Sequence, residues 1–270
     1  MRHLRIGLDW LRAGLAAFQF LTRLPLPFQI DYTERVFQRS TVWYPLVGFV
    51  IGVLLQLAGV GVAYAVPAMP GAVLLLGLWV VLTGGLHLDG LMDTADGILS
   101  HRPREQMLEI MKDSRVGAMG VIVCVLQLML KCSLLYTMLD TAKSGQHSQL
   151  LLVAIVPIWS RWFMVAAIRH WPYARPSSGL GSLFRGVTGG YVVTSLLLAL
   201  IATMLYMLAL GSDNAALWST VLGFLAVTLL CGIGLAAYIS SKLGGLTGDT
   251  YGALNELIET ALLFTLIHFL

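Results

Sequence analysis

Three carboxylates, those of Asp89, Asp93 and Asp96, fall within eight residues at the end of a long apolar run. Each residue of an α-helix turns by about 100°, so these spacings place all three on one narrow face. Like charges on a shared face repel one another unless a cation lies between them. Because a hard divalent cation prefers oxygen ligands, the cluster predicts a metal site. A solvated acidic helix end is the alternative.

A second acidic stretch lies near the C-terminus and follows a glycine-rich segment. Asp249 and Glu256 are seven residues apart, which places them on one helix face. The glycines before them can expose backbone N–H groups to a phosphate at a helix start, so Gly245, Thr247 and Gly248 are candidate substrate contacts. No Gly-Lys-Ser/Thr sequence follows, which excludes a P-loop. Glu256 and Glu259 lie in an apolar run, where an ionisable residue is a functional candidate.

Cations accompany the acids. Arg161 lies inside an apolar run and needs a partner, for which the aspartate cluster is the obvious candidate and a substrate phosphate serves equally well. Arg175 belongs to the glycine- and arginine-rich stretch 171–186, which predicts an anion-binding loop with aromatic walls, although its aromatic residues also suit a membrane interface. Three further charged residues precede an apolar run, where they either anchor the topology or hold a phosphate: Lys112, Asp113 and Arg115.

Two carboxylate clusters with cations between them describe a site for a metal ion and a pyrophosphate. Mg²⁺ commonly uses one or two carboxylates together with substrate phosphates and water. The reaction class that fits is phosphoryl or substituted-phosphoryl transfer, in which protein groups align an attacking hydroxyl.

The elements that position these residues are membrane helices. The 270-residue chain is 57% hydrophobic and only 11% charged, whereas a soluble domain has about 25% charged residues. The three cysteines lie in apolar runs without zinc-site spacing, and their odd number argues against a disulfide framework. Arg12 and Arg23 interrupt the first apolar stretch, so it is not a cleavable signal. We predict an all-α polytopic membrane bundle forming one domain over residues 1–270.

Seven apolar runs are long enough to cross a bilayer, which takes about 20 residues. Residues 1–40 instead predict an amphipathic or re-entrant helix at the cytoplasmic interface, ended by Leu24-Pro25. The seven runs lie near residues 41–66, 68–88, 117–139, 149–168, 190–210, 215–239 and 252–270.

Lys and Arg residues concentrate in the N-terminal segment and in the loops at 89–116, 169–189 and 240–251. The opposite loops carry only Lys143. The positive-inside rule therefore places the N-terminus and both acidic clusters on the cytoplasmic side, and the C-terminus outside. For a bacterial chain this means the inner membrane.

Four stretches of the sequence together form a recognisable pattern: Phe20-Leu21-Thr22-Arg23-Leu24-Pro25, Leu86-His87-Leu88-Asp89-Gly90-Leu91-Met92-Asp93-Thr94-Ala95-Asp96-Gly97, Met111-Lys112-Asp113-Ser114-Arg115-Val116-Gly117 and Gly245-Leu246-Thr247-Gly248-Asp249-Thr250-Tyr251-Gly252. In these stretches the sequence resembles the cobalamin synthase family (adenosylcobinamide-GDP ribazoletransferases). The resemblance implies an integral membrane enzyme that uses Mg²⁺. The ribazole hydroxyl of α-ribazole, or of its 5′-phosphate, would attack the phosphorus attached to cobinamide, and GMP would leave.

The predicted site combines the motif residues with their charged neighbours. The catalytic and metal-binding candidates are Asp89, Asp93, Asp96 and Asp249. His87 lies off the aspartate face, and a satisfied polar neighbour is its alternative role. The substrate-binding candidates are His87, Lys112, Asp113, Arg115, Arg161, Arg175, Gly245, Thr247, Gly248, Asn255 and Glu256.

Two other functions stay open from the residues. Asp93-Thr94-Ala95-Asp96-Gly97 fits the start of the motif of CDP-alcohol phosphotransferases, but the later paired aspartates of that motif are absent. A cation-coupled transporter could use the same acids, yet the acids gather at one membrane face and no inverted repeat is visible. Membrane lipids and small-molecule substrates are the expected partners, with no nucleic acid. The sequence leaves open whether the chain forms a homo-oligomer.

Overall fold

The computed structural model describes residues 2–27, 30, 31, 33–175 and 183–269. In these ranges the chain is helical, apart from loops and one isolated bridge between Tyr173 and Leu246. The described α-helices are α1 (Arg2–Leu21), α2 (Glu34–Ser40), α3 (Tyr44–Ala65), α4 (Ala68–Thr83), α5 (Leu86–Ile98), α6 (Arg104–Ile110), α7 (Ala118–Lys143), α8 (Ser148–Leu152), α9 (Val156–His170), α10 (Gly189–Ala209), α11 (Asn214–Leu243) and α12 (Gly248–Phe269).

The described helices confirm a polytopic membrane bundle. Five continuous helical segments are long and apolar enough to cross a bilayer, and the bent pair α4–α5 raises the number to six if it counts as one span. Helix α12, which carries Asp249, Glu256 and Glu259, is not among them. The number of seven spans therefore stays a prediction. The five segments are Glu34–Ala65, Ala118–Lys143, Ser148–His170, Gly189–Ala209 and Asn214–Leu243.

The second span, predicted over residues 68–88, was placed with the wrong end, because its helix stops before residue 88. Helix α4 stops at Thr83, and α5 leaves it at an angle of 89°. Gly84 and Gly85 have φ values of 64° and 70°, a left-handed conformation that glycine adopts without steric cost. His87 and the aspartates after it therefore belong to a separate helix of 13 residues, too short to cross a bilayer alone.

The loops that follow α5, α9 and α11 lie together at one end of the bundle, which we call the loop end. Arg104 Nε donates a 2.7 Å hydrogen bond to the carbonyl of Leu243. Ala174 N–H donates to the carbonyl of Leu246, and Leu246 N–H donates to that of Pro172, each over 2.8 Å. These bonds join the starts of three connections that are far apart in sequence.

The N-terminal helix α1 has two faces. Ala13, Ala17 and Leu21 are buried, whereas Leu8 and Leu11 are exposed. The helix ends at Leu21, before the predicted stop, and it is not among the five segments able to span. This arrangement agrees with an amphipathic helix lying at an interface.

The centre of the bundle is the segment Ser148–His170, whose apolar window is 89% buried against neighbouring helices. Helix α9 packs against α3, α10 and α12. Arg161 on α9 is fully buried and therefore faces protein and not lipid, whereas Arg169 near the end of the helix is exposed.

Candidate active site

Helices α5 and α12 cross at two glycines. A Cβ atom on Gly90 would lie 2.5 Å from the carbonyl oxygen of Asp249, and one on Gly252 would lie 3.1 Å from the Cα of His87. Only residues without a side chain permit this approach of two backbones. The crossing brings the start of α12 next to the first turn of α5.

The crossing borders a cavity of about 260 Å³. Asp89 and Asp249 line it with Arg175 and His87, so two of the four predicted aspartates share one space with a cation. The remaining wall is largely aromatic and aliphatic, formed by Phe20, Leu21, Tyr44, Leu86, Met164, Ile168, Tyr173, Phe184 and Tyr251. A few converging polar groups in an apolar cavity are typical of a small-molecule site.

Asp249 is held from two sides. Its Oδ2 lies 3.3 Å from Arg175 Nη1 and accepts a 3.3 Å hydrogen bond from Thr247 Oγ1. Arg175 Nη2 donates to the carbonyl of Leu108, while its Nε has no partner in the described part of the chain. A guanidinium with donors to spare beside a cavity suits a phosphate group.

The start of α12 is capped by a pair of threonines. Thr247 N–H donates to Thr250 Oγ1 over 2.8 Å, and Thr250 N–H donates to Thr247 Oγ1 over 3.3 Å. The N–H groups of Gly248 and Asp249 lie in the first turn, where helix geometry supplies no partner, so an anion can bind there. The role of Gly248 as a phosphate contact stays a prediction.

Gly245 has a packing role as well. Its φ is 150°, and a Cβ atom there would collide with the carbonyl oxygen of Pro172. Glycine is needed for the bridge between the loops at 172–174 and 245–246, which holds Arg175 near Asp249.

Asp96 joins α5 to the start of α7. Its two carboxylate oxygens accept hydrogen bonds from the N–H groups of Gly117, at 2.8 Å, and Gly120, at 2.7 Å. An acid at a helix N-terminus satisfies otherwise unpaired donors and complements the helix dipole. The structure therefore gives Asp96 an anchoring function that sequence spacing did not reveal.

We expect Gly120→Ala to lower stability through this anchor. The new Cβ would lie 2.5 Å from Asp96 Oδ2 and 2.9 Å from the carbonyl oxygen of Met92, so it displaces the carboxylate from the start of α7 and also pushes α5 and α7 apart. The cost should be at least the roughly 0.5–2 kcal/mol typical of a lost cap. Thermal unfolding in detergent measures the effect. Gly223→Ala is the matched control, because a helical Cβ at Gly223 meets nothing within 4 Å and should be neutral or stabilising. Equal melting temperatures for the two variants would contradict the anchor.

Asp93 lies between the other aspartates. Burial, followed by the charges of Asp249, Asp89 and Asp96, raises the pKa of Asp93 to about 7, against the opposing effect of Arg175. The helix α5 that carries it leaves α4 at an angle of 89° and packs against α7 and α12. A carboxyl group with this environment gains most from a nearby cation.

No group of three His, Cys, Asp or Glu side chains in the described ranges is arranged to hold a metal ion. Asp96 is engaged by α7, and Asp249 by Arg175. The chemistry of the donors nevertheless fits Mg²⁺ shared with a substrate, because this ion needs only one or two carboxylates besides phosphate oxygens. Asp89 on the cavity wall and Asp93, one helical turn further along α5 and outside the cavity lining, would supply them.

A buried charge network lies beneath the cavity. Lys131 Nζ on α7 lies 2.8 Å from Glu256 Oε2 and 2.5 Å from Glu259 Oε2, and Arg161 Nη1 on α9 bonds to Glu259 Oε1. All four side chains are at most 5% exposed. The prediction that Arg161 needs an acidic partner is confirmed. That partner is Glu259 and not the aspartate cluster, and neither Arg161 nor Glu256 lines the cavity.

Lys131 and Glu259 were absent from the predicted site set. The signal for both was present in the sequence, because a single lysine inside the apolar run of α7 requires an acid on another helix. His87 and Asn255 complete the polar layer, with Asn255 Nδ2 lying 3.2 Å from His87 Nδ1.

The predicted phosphate contacts between α6 and α7 lie at the surface. Asp113 and Arg115 form an exposed ion pair of 2.6 Å, and its hydrogen bonds lower the pKa of Asp113 to about 2. Neither these two residues nor Lys112 lines the cavity. In the predicted anion-binding loop 171–186, residues 176–182 lie outside the described residues.

The fold and site together define a polytopic membrane protein with an acidic, phosphate-suited cavity at the loop end of its bundle. The family model described as "Cobalamin-5-phosphate synthase" matches residues 13–267, and the chain belongs to this family. The family resemblance drawn from the motifs is thereby confirmed.

Curated relatives agree over nearly their full length. An adenosylcobinamide-GDP ribazoletransferase of Brevibacillus brevis is 38% identical over 95% of this chain and 98% of its own. Proteins of the same name from Desulfitobacterium hafniense and Desulforamulus reducens are 41% and 40% identical, each over 93% of this chain and over 93% and 94% of their own. No solved structure matches the chain.

Proposed function

We propose that the protein transfers the cobinamide phosphate of adenosylcobinamide-GDP to the ribazole hydroxyl of α-ribazole or α-ribazole 5′-phosphate. GMP leaves, and adenosylcobalamin or its 5′-phosphate forms. Family membership and the names of the relatives support this reaction. The observation that carries it is the crossing of α5 and α12, which gathers Asp89, Asp249 and Arg175 around one cavity.

The residues around the cavity have different roles in this reaction, which are binding of the pyrophosphate and activation of the attacking hydroxyl. Arg175 and the free N–H groups of Gly248 and Asp249 bind and orient the pyrophosphate. Asp249 Oδ2 is engaged by Arg175 and Thr247, which leaves Oδ1 to align the attacking hydroxyl and accept its proton. The hydroxyl oxygen bonds to the phosphorus attached to cobinamide as the bond from that phosphorus to the GMP oxygen breaks.

Asp89 and Asp93 hold Mg²⁺ in this proposal. When bound, the ion neutralises charge on the phosphate oxygens as it develops during transfer. Burial, followed by the neighbouring carboxylates, raises the pKa of Asp93, so a bound cation would favour its ionised form. The apolar and aromatic remainder of the cavity excludes water that would otherwise compete with the ribazole hydroxyl.

The reaction takes place on the cytoplasmic side of the inner membrane in this proposal. Cationic residues of the loop end support that orientation through the positive-inside rule, and α1 lies against the same leaflet in contact with lipid. These cationic residues are Arg104, Lys112, Arg115, Arg169, Arg185 and Lys242. The family match across residues 13–267 gives no support to the alternatives of a CDP-alcohol phosphotransferase or a transporter.

Release of GMP by the purified protein in nanodiscs tests the proposal. We expect GMP and a cobalamin product in equal amounts when adenosylcobinamide-GDP, a ribazole acceptor and Mg²⁺ are all present. Comparison of α-ribazole with its 5′-phosphate identifies the preferred acceptor. If neither acceptor led to GMP release, the proposed reaction would be wrong. Full GMP release in the presence of a chelator would contradict only the proposed role of Mg²⁺.

A further inference from the structure

The buried charge network fixes the orientation of a neighbouring amide. Glu259 is ionised, because it bonds to both Lys131 Nζ and Arg161 Nη1, and an ionised carboxylate only accepts hydrogen bonds. Asn255 Nδ2 lies 3.3 Å from Glu259 Oε1. The nitrogen end of the Asn255 amide must face this oxygen, since the carbonyl end would be repelled.

The same amide nitrogen determines the tautomer of His87. Asn255 Nδ2 carries two hydrogens, and the second lies towards His87 Nδ1 at 3.2 Å. His87 Nδ1 therefore accepts this hydrogen bond. In a neutral imidazole the proton then resides on Nε2, and that nitrogen is a donor.

This donor has no acceptor in the described part of the protein. His87 is only 2% exposed, it lines the cavity beside Asp89, and its buried Nε2 is without a partner. Buried N–H groups are almost always paired, so the position calls for an acceptor supplied from the cavity. Next to Arg175 and the start of α12, the chemistry that fits is an oxygen of a phosphate group.

We infer that Asn255 is a positioning residue that presents His87 Nε2–H as a hydrogen-bond donor to a phosphate oxygen of the bound substrate. The identity of that substrate rests on the proposed function. A protonated Nε2 cannot accept the proton of the attacking hydroxyl, so the general base is a carboxylate of the cavity. Asn255, which the sequence offered as a substrate contact, acts instead through His87.

Two substitutions of His87 separate a donor from a base. His87→Gln keeps an N–H group near the position of Nε2, whereas His87→Leu removes it. For the donor role we expect kcat/KM of the Gln variant within about tenfold of wild type, and a loss of about 100-fold for the Leu variant. Equal and severe losses in both folded variants would indicate a base and overturn the inference.

Ring-nitrogen NMR of ¹⁵N-histidine protein in nanodiscs reads the tautomer without any turnover. The signal that disappears in His87→Gln belongs to His87, and we expect its Nδ1 to be unprotonated and its Nε2 protonated. The opposite tautomer in the wild-type protein would overturn the inference. Asn255→Leu removes the donor to Nδ1, so the ¹⁵N resonance of Nδ1 should move downfield towards that of an unbonded ring nitrogen, whereas an Asn255 that does not donate to Nδ1 would leave it unchanged.

The two proposals fail in different ways. A wild-type protein that shows the expected tautomer but releases no GMP contradicts the proposed reaction alone. A protein that releases GMP but carries its His87 proton on Nδ1 contradicts the positioning role alone.

Discussion

Replacing Asp93 by Asn is expected to lower kcat/KM for GMP release by at least about 100-fold, the scale of losing one electrostatic stabiliser. The amide keeps the shape of the side chain but removes the charge that attracts a cation to the phosphates. Asp93 does not line the cavity itself, but besides its burial the charges of Asp249, Asp89 and Asp96 all act on it, so it belongs to the group of carboxylates that a cation would neutralise. Asp89→Asn, on the cavity wall, should follow closely.

The assay is GMP release by folded variants across a magnesium titration. Asp140→Asn is the matched control, because it makes the same chemical change at an exposed position at the C-terminal end of α7, opposite the end that Asp96 caps. Raising Mg²⁺ should recover part of the activity of Asp93→Asn if the loss is one of metal affinity. Activity of both Asp89→Asn and Asp93→Asn within a few-fold of wild type at limiting Mg²⁺ would end the metal hypothesis.

The spacing of the aspartates predicted that they share one helix face, but it could not show which group each carboxylate contacts. Local periodicity is a property of one helix, and all three residues do lie on α5. The division of labour comes from other helices, since α7 presents its first N–H groups to Asp96 and α12 brings Asp249 to the cavity. Tertiary contacts of this kind leave no regular spacing in a single sequence.

The turn at Gly84 and Gly85 is a backbone feature that the sequence pattern also failed to predict. Hydropathy continues through residues 84–88, so an apolar window extends the span to Leu88. The two left-handed glycines end the helix instead, and the resulting bend places α5 across the start of α12. The glycine pair was visible in the sequence, but its φ values were not.

The partner of Arg161 was predictable in kind and not in identity. Burial in the bilayer required an acid, and two acidic groups were available. The aspartate cluster was the more conspicuous group, yet it lies at the loop end on α5, whereas the acid that pairs with Arg161 lies on α12. Glu259 faces α9 from α12 and also bonds to Lys131, which the sequence showed only as an isolated cation.

Lys131→Met is expected to destabilise the folded protein by about 3–5 kcal/mol, the cost of breaking a buried ion pair by removing one partner. The lysine is 2% exposed, and its loss leaves Glu256 and Glu259 with only Arg161 as a counter-charge. It also removes an ammonium lying 4.1 Å from the centre of the Trp79 ring. The uncompensated carboxylate, and not the lost hydrogen bonds, accounts for most of the expected effect.

Denaturant-induced unfolding in detergent measures this loss, with Lys143→Met as the control, because Lys143 is an exposed lysine on the same helix. The double variant Lys131→Met, Glu256→Gln restores neutrality around the Arg161–Glu259 pair. It should therefore recover at least about half of the lost stability, a non-additivity that residues in one network display. If the double variant were as unstable as the sum of its two single variants, the network would not be coupled through charge. Lys131 would then stabilise the bundle only by packing its aliphatic stem.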